Sequence, residues 1–322
     1  LQHHGHPGAH PGPGQGAVVL SGGPFRWPER PPERLLVRLP NWIGDVVMAT
    51  PLLRALRLGL PSTTLLVAGP AHSQALLDGL PHVDECLVLP PREGLGGVLA
   101  HVGVVRRARP DAALLLTNSF SSALVMALAG VPRRVGYREG GRGGLLSGGP
   151  RHPREAGRHR LPTPMVDYYG RLLSWVGVAA AGHRTELVTR EADELQAQAW
   201  LERAGLAEGE GPLVGVHPGS SFGPSKLWYP ERFAQVLDAL GRDRGARGVV
   251  FCGPTERDLA RAIASSAQQP VATAADDPMT LGTLKAVIRR LDLLITTDTG
   301  PRHLAPPFDV PSVVLMGSTD PR

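Results

Sequence analysis

Short apolar runs alternate with amphipathic stretches along this chain from Leu35 onward. In the first half, the apolar runs predict strands and the stretches between them predict helices. The strands are expected at 35–39, 65–68, 86–89 and 112–116, and the helices at 45–58, 71–79, 97–108 and 119–129. Because such alternation is typical of a parallel sheet covered by helices on both faces, the chain is predicted to have an α/β fold.

The second half repeats the alternation after a predicted helix at 163–177. Its strands are expected at 213–216, 249–251, 293–296 and 312–316, and its helices at 191–204, 230–240, 255–266 and 281–290. The Gly-, Pro- and Arg-rich segment 132–161 is interpreted as a long loop. We predict two facing Rossmann-like domains, 33–178 and 184–322, with a ligand in the cleft at the carboxyl ends of their strands.

Residues 1–32 differ in composition from the rest of the chain. They contain seven Gly, seven Pro and four of the twelve His, and so bury too little apolar surface to offset the entropy lost on ordering. We interpret this segment as a disordered tail or a mistaken gene start, with solvated rather than metal-bound histidines.

Composition narrows the class of protein. The formal net charge of +5 favours anionic partners such as phosphates, acidic glycolipids or nucleic acid.

The sequence also disfavours several classes of protein. The two cysteines, Cys86 and Cys252, predict neither a disulfide framework nor a zinc site, which needs about four clustered ligands. No apolar run reaches the roughly 18 residues that span a bilayer, so a cytoplasmic protein is expected. No G-x-G-x-x-G motif joins a strand to a helix, which disfavours a nicotinamide dehydrogenase.

The first candidate site is the junction Arg38-Leu39-Pro40-Asn41-Trp42-Ile43-Gly44-Asp45, between the first strand and the first helix. Gly44 permits close backbone approach or an unusual φ. Asp45 has two interpretations of about equal weight. It is either the N-cap of the helix or a carboxylate at the cleft that takes a proton from an acceptor hydroxyl.

Two further junctions carry polar residues. His217-Pro218-Gly219-Ser220-Ser221 follows a strand, and Lys226 after it could meet a phosphate as a flexible point charge. Later, Thr297-Asp298-Thr299-Gly300-Pro301-Arg302-His303 joins a strand to a short helix, whose N-terminal N–H groups form an anion site. Here Asp298 is expected to accept backbone hydrogen bonds, and His303 either contacts a phosphate or sugar or is a buried structural residue.

These stretches resemble the ADP-heptose:lipopolysaccharide heptosyltransferases of glycosyltransferase family 9. The resemblance runs from Leu35 to Arg322 and rests on RLPNWIGDVVMATPLLRALR, GVHPGSSFGPSKLWYPERFAQV, FCGPTERD and TTDTGPRHLA…VPSVVLMGSTDP. Of these stretches, GVHPGSSFGPSKLWYPERFAQV is most like the corresponding stretch of the heptosyltransferase II subfamily, which adds the second heptose of the core. The resemblance implies the two-domain GT-B fold and an inverting transfer of heptose from ADP-heptose to the lipopolysaccharide inner core, with no metal or other cofactor.

The resemblance also implies roles for individual residues. Asp45 is the expected general base, with Lys226 on the donor phosphates. The expected donor-binding set is Ser220, Ser221, Lys226, Glu256, Asp298, Thr299, Gly300 and His303. Two departures stand out. Pro306-Pro307 replaces the usual Ala-Ala and should cut the last helix short, and the C-terminal return helix of the family is expected to be missing.

The acceptor is expected to be an acidic glycolipid. Residues 133–160 contain eight Arg against two Glu, which fits an anionic acceptor or, on charge patterning alone, a solvated loop. Together with the first junction, they give the expected acceptor-binding set Asn41, Trp42, Arg134, Arg138 and Arg142. The positive charge also allows peripheral contact with the inner membrane surface. Nucleic acid is not expected as a partner, because aromatic residues are not interleaved with the arginines.

Two rival functions are kept open. A nucleotide-sugar 2-epimerase shares the fold, but the sequence offers no convincing acid/base pair for chemistry on the sugar ring. A noncatalytic nucleotide-sugar-binding protein would bind the donor without transferring it. Release of ADP from the donor, measured with and without acceptor, separates these rivals from a transferase.

Overall fold

The computed structural model describes residues 30–91, 93–152, 162–219 and 224–317. Its first half contains five strands and six α-helices. In chain order they are β1 Arg34–Arg38, α1 Ile43–Met48, α2 Thr50–Gly59, β2 Thr64–Gly69, α3 Ala71–Leu77, β3 Glu85–Val88, α4 Gly94–Ala108, β4 Ala112–Leu115, α5 Phe120–Leu128, β5 Arg133–Gly136 and α6 Met165–Trp175. The strands form one parallel sheet in the order β3-β2-β1-β4-β5.

The second half forms another parallel sheet, in the order β10-β9-β6-β7-β8. Its elements are α7 Glu191–Arg203, β6 Leu213–His217, α8 Pro230–Arg244, β7 Arg247–Val250, α9 Arg257–Ser266, β8 Val271–Thr273, α10 Leu281–Ile288, β9 Leu293–Thr297 and β10 Ser312–Leu315. The α/β prediction, with two Rossmann-like sheets, is therefore confirmed.

The central strands are buried on both faces. In β1, Leu35 and Val37 pack into one apolar cluster while Leu36 packs into another, as the alternation of side chains across a strand requires. The first of these clusters also contains Phe251 and Leu294 of the second sheet. A continuous apolar run therefore marks a central strand, and the two halves share one core cluster.

A buried lysine also joins the halves. Lys285 of α10 has no exposed surface and donates hydrogen bonds to the carbonyl oxygens of Leu76 in α3 (3.2 Å) and Val188 in the connecting segment (2.9 Å). Burial lowers the pKa of this lysine. Because each carbonyl accepts from the same ammonium, α10, α3 and the connection are held together at one point.

Three local expectations were wrong. No strand was expected at β5, which lies inside the expected loop 132–161, and none at β8. Both are edge strands without an apolar run of strand length, because β5 begins with two arginines and β8 has only three residues. The expected helix 45–58 is two helices that meet at Ala49. The short helix expected after β9 is present as the 3₁₀ helices Gly300–Leu304 and Pro306–Phe308, and the proline pair accounts for their shortness.

The expectation that Arg142 attracts an acceptor is also wrong. Its side chain has no exposed surface, and its guanidinium donates to the carbonyl oxygens of Tyr137 (2.9 Å) and Thr117 and to Asn118 Oδ1 (3.0 Å). Burial lowers the pKa of Arg142 to about 10, so the side chain is still charged at neutral pH. Arg142 therefore ties the chain after β5 to the segment after β4.

Arg134 has a similar structural role. Its guanidinium donates to the carbonyl oxygens of Leu145 (2.6 Å) and Val131, and its backbone N–H donates to Ser147 Oγ (3.0 Å). These contacts hold the loop after β5 together, and because Arg134 is only partly buried its acceptor-binding role stays a prediction. The side chain of Arg138, in contrast, is exposed.

Replacing Arg142 by Met should destabilise the protein by about 2–4 kcal/mol, because buried carbonyl groups lose their donor. Arg138→Met, on the exposed neighbour, is the matched control and should change the free energy of unfolding by less than about 0.5 kcal/mol. Urea unfolding followed by circular dichroism measures both. Equal stability of the two variants would contradict the structural role of Arg142.

Candidate functional site

A cavity of about 570 Å³ lies where the two sheets face each other. One wall is the junction between β1 and α1, and the other is the segment after β9 together with Lys226. Of the residues expected to act in catalysis or in binding, eight line it: Asn41, Trp42, Asp45, Lys226, Asp298, Thr299, Gly300 and His303. The carboxyl ends of central strands from both sheets thus meet at one cavity, as expected for an α/β cleft.

The first wall is set by the end of β1. Arg38 is buried and its Nη2 donates to Asn41 Oδ1 (2.9 Å), which fixes the turn before α1. Trp42 is the N-cap of α1, without a side-chain cap hydrogen bond, and its own side chain is 55% exposed at the cavity. The N-cap interpretation of Asp45 is therefore wrong, since Asp45 lies inside the first turn.

The carboxylate of Asp45 faces the cavity from a half-buried position. No hydrogen bond joins this carboxylate to another residue in the described part of the chain. Burial raises the pKa of Asp45 because the charged form loses water without gaining a partner. A carboxylate in this state is a better base than an exposed one.

Close contact between the two walls requires a glycine. A Cβ on Gly44 would lie 2.5 Å from His303 Cδ2, and a Cβ on Gly300 would lie 3.4 Å from the Cβ of Ile43. The first distance is too short for any side chain. Gly44 therefore lets the ring of His303 pack directly on the backbone of α1.

Three charged side chains form a cluster on the second wall. Lys226 Nζ lies 2.7 Å from Asp298 Oδ2, and Arg302 Nη1 lies 3.0 Å from Asp298 Oδ1. The side chains of Lys226 and Asp298 are only 12% and 11% exposed. Asp298 was expected to accept backbone hydrogen bonds, but these contacts are to two cationic side chains. The cluster of two cations and one carboxylate has a net positive charge.

The ring of His303 lies between this cluster and Gly44. Arg302 Nε donates to His303 Nε2 (3.1 Å). Burial, and next the positive charge of Arg302, lower the pKa of His303 to about 4. The ring is therefore neutral at physiological pH, and any contact it makes to a ligand is a hydrogen bond rather than an ion pair.

Glu256 lies beside the second junction but does not line the cavity formed by the described residues. Its Oε2 accepts from the backbone N–H of Gly253 (2.8 Å) and lies 3.6 Å from His217 Nε2. A Cβ on Gly219 would overlap this carboxylate, so Gly219 and Glu256 pack in direct contact. Ser220 and Ser221 lie outside the described residues.

Sequence reasoning missed His72 and Arg302. His72 begins α3 after β2 and lines the cavity, and its Nε2 is shielded from solvent without a hydrogen-bond partner in the described part of the chain. Burial lowers the pKa of His72. The sequence signal that could have identified His72 was its position at the junction between β2 and α3, because β2 lies next to β1 in the sheet. Arg302 stood inside a motif already singled out, but its partner Asp298 could not be inferred from spacing alone.

A second cavity, of about 540 Å³, lies beside β5. It is lined by Arg138, Glu139, Gly140, Gly143, Arg151 and His152. Of the three arginines expected to bind an acceptor, only Arg138 contributes to it, joined by Arg151. This cavity is polar and contains two arginines and one glutamate.

Residues 98–322 match the model of the family described as glycosyltransferase family 9 (heptosyltransferase). This chain belongs to glycosyltransferase family 9. The lipopolysaccharide heptosyltransferase 2 of Salmonella typhimurium is 30% identical over 301 residues, covering 89% of this chain and 84% of that protein. The protein of the same name from Escherichia coli K12 is 28% identical with the same coverage.

Solved structures agree with this assignment. A glycosyltransferase family 9 protein from Veillonella parvula has a TM-score of 0.78 and 26% identity, covering 88% of this chain and 80% of that one. The ADP-heptose lipopolysaccharide heptosyltransferase II of E. coli has a TM-score of 0.70 and 25% identity, covering 87% and 84%. The GT-B fold prediction is confirmed, and the chain is a glycosyltransferase enzyme.

The described residues of this glycosyltransferase contain no group of three or more His, Cys, Asp or Glu side chains arranged to hold a metal ion. Within the same ranges, no helix combines the length and the apolar character needed to cross a membrane. Both cysteines are free thiols.

The raised pKa of Asp45 predicts that Asp45→Asn stabilises the enzyme at neutral pH. The ordinary value is 3.8, so between that pH and the higher folded-state value the native protein binds more protons than the unfolded chain. Stability is therefore lost as pH rises through this window. Tm of the variant should exceed that of the parent by about 1–3 °C at pH 7 and match it below the ordinary value. A lower Tm at pH 7 would contradict the absence of a partner for Asp45.

Proposed function

We propose that this enzyme transfers heptose from ADP-heptose to the inner core of lipopolysaccharide, with inversion at the anomeric carbon and without a metal ion. The observation that carries the proposal is one cavity with Asp45 on one wall and the Lys226–Asp298–Arg302 cluster on the other, the Asp45 carboxylate having no hydrogen-bond partner among the described residues. The sugar and the acceptor are inferred from the related heptosyltransferases described above.

Asp45 is the proposed general base. It takes the proton from the acceptor hydroxyl as the hydroxyl oxygen attacks the anomeric carbon. The bond from that carbon to the diphosphate oxygen breaks on the opposite side of the sugar through an oxocarbenium-like state. Proton transfer to a positioned base is worth about 10²–10⁴ in rate, and the raised pKa of Asp45 improves its basicity.

Lys226 and the backbone N–H groups of Thr299 and Gly300 are the proposed partners of the leaving diphosphate. All three residues line the cavity. Because the two cations exceed the one carboxylate of Asp298, the cluster attracts the negative charge that develops on the leaving oxygen. In this proposal the cationic side chains take the place of a metal ion.

The acceptor is proposed to be anionic. Arg138 and Arg151 give the second cavity two positive charges, which suit the carboxylates or phosphates of an acidic glycolipid. The net charge of +5 would also favour contact with an anionic membrane surface, where such a glycolipid resides. A peripheral location at the inner membrane is therefore part of the proposal.

Asp45→Asn should lower the transfer rate by about 10²-fold or more, because the general base is lost. ADP affinity, measured by isothermal titration, should stay within about twofold, since Asp45 is not among the proposed diphosphate contacts. Retention of more than about a tenth of the parent rate would exclude the role of base. Conversion of ADP-heptose without acceptor in the parent would favour an epimerase, and donor binding without any transfer would favour a binding protein.

Lys226→Ala should weaken ADP binding about tenfold, because a charge-assisted contact to phosphate is lost. Arg203→Ala is the matched control. It removes an outer ion pair with Asp277 (2.8 Å), remote from the cavity lining, and should leave affinity unchanged. Titration of both variants with ADP measures the difference. Equal affinities would remove Lys226 from the diphosphate site.

A further inference from the structure

Arg302 makes contacts that determine the chemistry of its neighbour. Its Nε lies 3.1 Å from His303 Nε2, while its Nη1 lies 3.0 Å from Asp298 Oδ1 and 3.5 Å from Met316 Sδ. A guanidinium has only donors, and it does not lose its proton in proteins. His303 Nε2 is therefore the acceptor in this contact, and the single proton of the neutral ring must be on Nδ1.

The ring is oriented as well as fixed in one tautomer. Its Cδ2–Nε2 edge packs on the backbone of Gly44, where a Cβ would lie 2.5 Å from Cδ2 and 3.1 Å from Nε2. Nδ1 is across the ring from this edge. No hydrogen bond joins Nδ1 to any of the described residues, and the ring lines the cavity. The Nδ1–H donor is thus left for a ligand.

The neighbouring groups indicate the chemistry of that ligand. Lys226, Thr299 and Gly300 line the same wall of the cavity as His303. An ammonium, backbone N–H groups and an imidazole N–H together suit an anionic oxygen. The other tautomer would direct a lone pair toward that oxygen and repel it.

We propose that Arg302 is a positioning residue: it fixes His303 as the Nδ1–H tautomer, so that His303 donates a hydrogen bond to a phosphate oxygen of the nucleoside diphosphate. This inference rests on the proposed function for the identity of the ligand. The tautomer itself depends only on the contacts of Arg302. The two parts can therefore be tested separately.

The first test is ¹⁵N NMR of the ring nitrogens in the full chain without ligand, with His303→Gln used to assign the signals. In the parent protein, His303 Nδ1 should carry the proton and Nε2 should not. Arg302→Met removes the donor and should give the other tautomer or a mixture. Arg302→Lys keeps a positively charged donor and should restore at least part of the parent signal. An unchanged tautomer in Arg302→Met overturns the proposal.

The second test is ADP titration in a double-mutant cycle. Arg302→Met should weaken ADP binding about tenfold in the parent background. Because Arg302 also contacts Asp298 and adds a positive charge to the cavity, the same substitution is made in His303→Gln, where the effect should be smaller by the part that acts through His303. Arg261→Met is the matched control. It breaks exposed ion pairs with Asp258 (3.0 Å) and Asp276 (2.6 Å) and should leave affinity unchanged.

The outcomes separate this inference from the proposed function. Equal effects of Arg302→Met in both backgrounds would show that Arg302 acts through Asp298 or the fold, and the positioning role would be wrong. A parent protein that shows the expected tautomer but binds no ADP would contradict the nucleoside diphosphate ligand and the proposed function, while the effect of Arg302 on the tautomer would stand. ADP binding with the proton on Nε2 would contradict the inference alone.

Discussion

The contact between Gly44 and His303 is the constraint on which the site depends. The ring of His303 occupies the space that a Cβ on Gly44 would need, so the first turn of α1 and the segment after β9 meet without an intervening side chain. Asp45 follows Gly44 directly, and Thr299 and Gly300 lie just before His303 in the chain. One backbone-to-ring contact thus brings the carboxyl ends of both sheets to one cavity. Lys285 connects the two halves at a second place, away from this cavity, by hydrogen bonds from α10 to α3 and to the connecting segment.

The two walls of the cavity differ in how their charged side chains are paired. Asp45 is half-buried without a hydrogen-bond partner among the described residues, which raises its pKa and costs stability. Lys226, Asp298 and Arg302 instead pair with one another, so each charge has a partner even though the pair of Lys226 and Asp298 is nearly buried. A base needs a poorly satisfied carboxylate, whereas a site for an anion needs cations held in place. The two environments stay separate because Asp45 lies on the first domain and the Lys226–Asp298–Arg302 cluster lies on the second.

The sequence predicted the central strands and the three polar junctions, because both depend on short stretches of chain. Leu35, Leu36 and Val37 form a continuous apolar run, and only a strand buried on both faces accommodates such a run. The edge strands β5 and β8 were missed, since the two arginines of β5 and the three-residue length of β8 leave no comparable apolar run. The arginines after β5 were also misjudged in part. Charge patterning counts Arg142 as a positive charge, but only the folded chain provides the carbonyl groups that surround it.

Pairings across long stretches of chain could not be predicted from spacing, and they change what each site residue can do. Lys226 and Asp298 are 72 positions apart, and each was considered in isolation as a ligand contact. Their pairing cancels one positive charge at the cavity. The excess charge that remains comes from Arg302, the same residue whose Nε contacts His303. The anion-binding character of this wall therefore depends on Arg302, which lies inside the third junction but was given no role there. Its importance arises from two partners, an acid four residues before it and a ring one residue after it.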